Sequence, residues 1–190
     1  SRSETTTVET QELPWEATVT LVLHPAAKAA GRIQVTVEDA GGAKDLPLCP
    51  GEKVTEGLDN LPRRLAEYFK LGARFAKWRA VITIGERIPS HTCIYANAHA
   101  LARYAAACHE ASIVPIIEPE VLLDGSHTVE RCEEVSEATL RACYAALAAY
   151  NAAPEYTILK ASMVVSGKTC PKQAGVDEVA ERTVRVLKRT

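Results

Sequence analysis

Predicted strands and helices alternate between residues 58 and 188, and this order constrains the fold more than any other feature of the sequence. The predicted strands are Phe75–Ile84, Ile113–Ile117 and Thr157–Lys160. The predicted helices are Leu58–Leu71, Thr92–His109, Thr128–Tyr150 and Val176–Lys188. Short apolar strands that alternate with helices are typical of a parallel α/β sheet with helices on its faces. Periodicity alone leaves open a doubly wound sheet or a (β/α)8 barrel.

The first part of the chain shows a weaker pattern. Polar and apolar residues alternate over Ala17–Leu23 and again over Ile33–Val37, and both stretches are predicted as strands. Ala40–Gly57 is rich in glycine, proline and charged residues, so it is predicted as a loop. No glycine-rich phosphate-binding motif follows any predicted strand, so the nucleotide-binding α/β folds are less favoured.

Charge and cysteine content exclude several classes of function. The chain has 22 basic and 24 acidic residues without a basic cluster, so neither nucleic acid nor an anionic membrane is an expected partner. No apolar run reaches the roughly 18 residues that a membrane span needs. The six cysteines have no spacing typical of a zinc site. They are interpreted as reduced thiols, which favours the cytoplasm.

Charged residues are predicted at the ends of three successive strands. Lys77 and Arg79 lie on the first strand, Glu118 and Glu120 follow the second, and Lys160 ends the third. Active residues of parallel α/β folds gather at the carboxyl ends of the strands, so we expect these side chains to meet. Burying a charged side chain at such a position costs free energy unless the side chain forms an ion pair or takes part in catalysis.

This set of residues suggests amine chemistry. A lysine attacks a ketone only as the neutral amine, and a neighbouring ammonium group favours that form. Lys77 is a candidate for the neighbour of Lys160, and Glu118 or Glu120 can move protons between the intermediates. The alternative is a purely structural ion pair at the strand ends.

Four motifs in order carry a resemblance to a known family. They are FAKWR from Phe75, VPIIEPE from Val114, LDGSHTVERC from Leu123 and ILKASMV from Ile158. Together they resemble the class I, Schiff-base fructose-bisphosphate aldolases, and the resemblance covers roughly residues 31–190. It implies a TIM barrel and the reversible cleavage of fructose 1,6-bisphosphate to dihydroxyacetone phosphate and glyceraldehyde 3-phosphate. It also implies that no metal or other cofactor is needed, because a lysine imine serves as the electron sink.

The resemblance assigns a role to each candidate residue. Lys160 corresponds to the lysine that forms the Schiff base, and Glu118 to the carboxylate that handles protons. Glu120 corresponds to a second carboxylate that supports the lysine. Lys77 matches the lysine placed beside the substrate, and Arg79 matches the neighbouring arginine that binds it.

The sequence also departs from the family pattern. A full barrel takes about 250 residues, and this chain has 190. We therefore predict a partial (β/α)8 barrel over residues 31–190, roughly strands three to six, preceded by a divergent N-terminal extension over residues 1–30. The family's phosphate-binding elements have no match, Thr36 stands where an active-site lysine is expected, and Ala161 and Ser162 replace a Pro-Asn pair.

Three hypotheses follow from these matches and departures. The first is a class I aldolase that acts on a phosphorylated sugar. The second is a non-catalytic aldolase remnant that serves as a binding or assembly subunit, and the third is a Schiff-base lyase with another carbonyl substrate. Because a partial barrel exposes sheet edges, a second copy of the chain or a different partner is expected to cover it.

Overall fold

A computed structural model describes residues 18–22, 34–38 and 42–190 of the chain. The strands are β1 (Thr18–Val22), β2 (Gln34–Glu38), β3 (Gly42–Asp45), β4 (Lys53–Glu56), β5 (Phe75–Ile82), β6 (Val114–Val121) and β7 (Ile158–Leu159). The helices are α1 (Leu61–Lys70), α2 (His91–Glu110), α3 (Val129–Ala149) and α4 (Val176–Arg189), and a 3-10 turn covers Pro154–Tyr156. The predicted order of strands and helices after residue 58 is confirmed.

Two antiparallel pairs precede the helical part. β1 pairs with β2, so both predicted N-terminal strands are confirmed. The prediction of a loop over Ala40–Gly57 is wrong in part, because β3 and β4 form a hairpin there. All four residues of β3 are exposed, so the hairpin lacks the alternation of apolar residues that identifies a half-buried strand. Its turn is closed by the Leu46 N–H, which donates to the Glu52 carbonyl at 2.9 Å.

β5, β6 and β7 form a parallel sheet with β6 in the centre. β6 is longer than predicted: it continues past the apolar run to Val121, because its backbone stays in register with β5 as far as the pair Ile82 and Val121. Glu118 and Glu120 therefore lie inside β6 and do not follow it. A period of two residues sends their side chains to one face of the sheet and those of Ile117 and Val121 to the other.

Helices cover only the second of these faces. Trp78 and Ala80 of β5 and Ile117 of β6 are buried in one apolar cluster with α1, α2 and α3. The alanines of α2 are small enough to let the helix approach the sheet closely, and Ala102 and Ala105 have no exposed surface. The other face of β5 and β6 is left to the charged side chains.

Local signals account for the helix boundaries. The Ser90 hydroxyl accepts a hydrogen bond from the Cys93 N–H at 3.1 Å and caps α2. The Thr128 hydroxyl accepts from the Arg131 N–H at 3.3 Å and caps α3 in the same way. Gly72, with a φ of 102°, ends the turn that follows α1. Within the described residues, no helix is both long and apolar enough to span a membrane.

Candidate active site

The parallel register brings the five predicted site residues to one face of the sheet. Arg79 of β5 lies opposite Glu118 of β6. Lys160 follows β7 directly, and its N–H donates to the Ile117 carbonyl at 2.9 Å, which places it beside Glu118. The structure therefore brings the candidate residues of three separate motifs together.

Glu118 lies at the centre of the site. Its side chain is only 6% exposed, and each carboxylate oxygen contacts a different lysine. The Lys160 ammonium donates to Oε1, and the Lys77 ammonium contacts Oε2. Both lysine side chains are about half exposed, so they extend over the buried carboxylate from the open side of the sheet.

The two lysines decide the protonation state of Glu118. Burial by itself raises the pKa of this carboxyl, but the hydrogen bonds from Lys160 and Lys77 together outweigh burial and lower the pKa below its ordinary value. Glu118 is therefore a carboxylate at neutral pH. Two ammonium groups share this single negative charge.

Glu120 and Arg79 form a second ion pair, two residues further along the strands. The Arg79 Nε donates to Glu120 Oε2, and this hydrogen bond raises the pKa of Arg79. Lys77 and Arg79 each pair with a carboxylate two positions beyond their register partner on β6. The site is thus a regular ladder of diagonal ion pairs along two parallel strands.

Side chains that sequence reasoning had not selected hold the site from the surrounding segments. The Thr55 hydroxyl of β4 donates to the Arg79 carbonyl at 2.6 Å. The Ser162 hydroxyl accepts from the Val121 N–H at 3.3 Å. Both contacts join residues more than 20 positions apart, and neither residue belongs to a charged pattern, so no sequence signal identified Thr55. Ser162 was noted only as a departure from the family pattern.

The loops that follow β6 and β7 are joined by backbone hydrogen bonds. The Lys168 N–H donates to the Leu123 carbonyl, and the Gly167 N–H donates to the His127 carbonyl, each at 2.8 Å. A Cβ atom on Gly167 would lie 2.3 Å from the Gly125 carbonyl oxygen, so only glycine allows this approach. Among the described residues, no group of three or more His, Cys, Asp or Glu side chains could hold a metal ion.

A lysine that follows one parallel strand, beside a buried carboxylate inside the neighbouring strand, defines a class of α/β proteins suited to carbonyl chemistry through an amine. The comparison with protein families identifies which one. The sequence model of the class-I fructose-bisphosphate aldolases matches residues 25–190, and the chain belongs to this family.

Curated relatives support the same assignment. A probable fructose-bisphosphate aldolase class 1 of Xanthomonas axonopodis pv. citri is 64% identical over 149 residues, which are 78% of this chain and 45% of the relative. Fructose-bisphosphate aldolase of Dictyostelium discoideum is 45% identical over 84% of this chain and 45% of its own length. Cytosolic aldolase 6 of Arabidopsis thaliana is 48% identical over 78% of this chain and 41% of its own length. The chain thus spans a little under half the length of these relatives.

A solved structure has the same fold over most of the chain. Fructose-bisphosphate aldolase of Plasmodium falciparum, determined as a ternary complex with TRAP and a small-molecule inhibitor, superposes with a TM-score of 0.77 and 41% identity. The match covers 78% of this chain and 44% of the other. The α/β architecture therefore corresponds to part of an aldolase of the TIM-barrel family.

Proposed function

We propose that this chain carries the imine-forming part of a class I fructose-bisphosphate aldolase, with Lys160 as the nucleophile. The observation that carries the proposal is the buried Glu118 carboxylate between the Lys160 and Lys77 ammonium groups. Glu118 lies in the carboxyl-terminal half of β6, beside the end of β7, and active sites of parallel α/β folds gather on this side of the sheet.

Each side chain then has a chemical task. The neutral amine of Lys160 attacks the ketone carbon of the substrate, and the resulting carbinolamine loses water to form an imine. The protonated imine accepts the electron pair of the bond between its α and β carbons as that bond breaks, which leaves an enamine. The hydroxyl group on the β carbon loses its proton and becomes the carbonyl of the released aldehyde. Glu118, in contact with the Lys160 amine, accepts and returns the protons of these steps. Lys77 offers a positive charge beside the reacting carbon.

Glu120 and Arg79 serve substrate binding in this proposal. Their ion pair holds the Arg79 guanidinium on the same face of the sheet as the two lysines. A guanidinium is suited to a phosphate or hydroxyl group of a phosphorylated sugar. The substrate proposed is fructose 1,6-bisphosphate, as the names of the relatives indicate.

The proposal also covers the open edge of the sheet beside the site, the extent of the barrel and the location of the protein. β7 is the outer strand of its sheet, and Ile158 and Met163 beside it are exposed. We therefore infer that further barrel strands, a second copy of the chain or another partner covers this edge. We assign the match to strands three to six of the barrel and the divergent extension to residues 1–30. The cytosolic relative from Arabidopsis thaliana favours the cytoplasm as the location.

Borohydride trapping tests the proposed function. The chain is incubated with dihydroxyacetone phosphate, reduced with borohydride and analysed by peptide mass spectrometry. We expect an adduct at Lys160 in the parent chain and none in Lys160→Met. A coupled assay with fructose 1,6-bisphosphate then measures cleavage.

Lys168 provides the matched control. It is an exposed lysine eight positions further along, paired with Asp124 at 2.8 Å and away from Glu118. Lys168→Met should leave the adduct at Lys160 unchanged. A folded parent chain that forms no adduct would contradict the proposal and favour a non-catalytic binding subunit.

A further inference from the structure

The hydrogen bonds between β6 and β7 stop directly at Lys160. Its N–H donates to the Ile117 carbonyl at 2.9 Å, as the register of Ile117 with Leu159 requires. In a regular parallel pair, the N–H of residue 119 would next donate to the Lys160 carbonyl. Residue 119 is a proline and has no N–H, so this bond cannot form. β7 consequently contains only two residues.

Two residues beyond Lys160, a side-chain hydrogen bond joins the chain to β6 again. In a continued pairing, the Val121 N–H would donate to the backbone carbonyl of Ser162. In the structure it donates to the Ser162 hydroxyl instead, at 3.3 Å. The backbone of Lys160 is therefore attached to β6 on both sides, by its own N–H and by the Ser162 hydroxyl.

We infer that Ser162 is a positioning residue, whose hydroxyl holds the backbone at Lys160 so that its amine stays beside Glu118. The Lys160 N–H and the Ser162 hydroxyl both hold the backbone of this part of the chain against the strand that carries Glu118. Without the Ser162 bond, the interruption caused by Pro119 would extend from Lys160 into the following loop. The catalytic consequence of this inference rests on the proposed function. Its structural part rests on the hydrogen bonds alone.

Two other hydroxyl groups, one in the segment that follows Lys160 and one in α4, have a different role. The Ser166 hydroxyl accepts from the Ala174 N–H at 3.1 Å, and the Thr183 hydroxyl accepts from the Val164 N–H at 2.9 Å. Both bonds attach the segment to itself or to α4, and neither reaches β6. Ser162 is half-buried and Ser166 is buried, and each hydroxyl accepts one backbone N–H. Ser166→Ala is therefore a matched control for Ser162→Ala.

The catalytic consequence is tested by the rate of adduct formation with dihydroxyacetone phosphate. We expect Ser162→Ala to slow trapping at Lys160 about 10- to 100-fold at saturating ketone, because misplacement of a reacting group by about 1 Å costs this much. The concentration for half-maximal trapping should change little, since the substrate contacts remain. Ser162→Thr keeps the hydroxyl and should restore most of the rate, and Ser166→Ala should match the parent chain.

Amide hydrogen exchange tests the structural part independently. In Ser162→Ala, the amides of Lys160 and Val121 should exchange faster than in the parent chain and in Ser166→Ala. Unchanged exchange, an equal loss of rate in both alanine variants, or no rescue by threonine would overturn the inference. A parent chain without any adduct would overturn the proposed function, and exchange at Lys160 would then still decide whether Ser162 holds this backbone.

Discussion

At the scale of single residues, the site depends on a buried charge that is balanced from the exposed side. Glu118 is almost inaccessible to solvent, and its two oxygens contact the ammonium groups of Lys160 and Lys77. A buried carboxylate without such partners would be strongly destabilising. The pairing keeps Glu118 ionised, which is the state that can accept a proton from the amine.

Glu118→Gln tests this role. The amide fills nearly the same volume but cannot accept a proton and leaves both ammonium groups unbalanced. We expect the rate of adduct formation at Lys160 to fall by about 10²- to 10⁴-fold, the usual size of a general acid–base contribution. Glu155→Gln, a change at an exposed glutamate in the 3-10 turn, should not alter the rate. An unchanged rate in Glu118→Gln would remove Glu118 from the proposed mechanism.

At the scale of elements, α4 is attached to α3 mainly by charge. Glu133 of α3 is buried and accepts hydrogen bonds from Arg182 at 2.5 Å and Arg185 at 3.1 Å. Only Val186 is buried among the α4 side chains. Because α4 follows the segment that carries Lys160 and Ser162, this ion network holds the far end of that segment.

Glu133→Gln should therefore destabilise the docking of α4. We expect the free energy of unfolding to fall by about 1–3 kcal/mol, since the amide carries no charge and offers only one acceptor oxygen to the two arginines. The adjacent Glu134 is exposed and, within the described residues, pairs only with Arg131, so Glu134→Gln should change stability by less than about 0.5 kcal/mol. Urea unfolding at pH 7 measures both. Equal values for the two variants would show that the Glu133 network adds nothing.

At the scale of the whole molecule, ionisable groups restrict the fold to a limited range of pH. Hydrogen bonds from Lys168 and Arg141 lower the pKa of Asp124 and Glu137, and the pKa of Glu118 is also lowered. Their stabilisation is complete above the unfolded-state values of about 3.9–4.3 and is lost as pH falls through the lower folded-state values. At high pH the buried thiols act in the opposite direction: burial raises the pKa of Cys108 and Cys143 to about 12.

The alkaline limit gives a specific prediction for Cys143. A thiol of the unfolded chain ionises near pH 8.5, so stability should decline as pH rises from there towards about 12. Cys143→Ala should reduce the slope of unfolding free energy between pH 8.5 and 10 by up to about 1.4 kcal/mol per pH unit. Leu147→Val, in the same cluster, should lower stability without a change of slope. An identical slope in Cys143→Ala would contradict the assignment, and urea unfolding at a series of pH values measures it.

Local pattern predicted most of the elements and selected the candidate site residues. Apolar periodicity located the parallel strands and the helices, because burial on one or both faces fixes which positions must be apolar. The family motifs selected Lys160, Glu118, Glu120, Lys77 and Arg79, since their residue types are required in a fixed order. The β3–β4 hairpin was not predicted because an exposed strand needs no apolar side chains.

Only the tertiary structure decided which of these charges meet. The sequence could not show that Lys160 and Lys77 share Glu118 while Glu120 pairs with Arg79, because this depends on the register of three strands separated by helices. Pairing of strands is set by backbone hydrogen bonds and by packing of the whole sheet, which no local window contains. The bond from Val121 to Ser162 has the same origin: Pro119 interrupts the pairing of β6 with β7, and a residue about 40 positions away restores the contact.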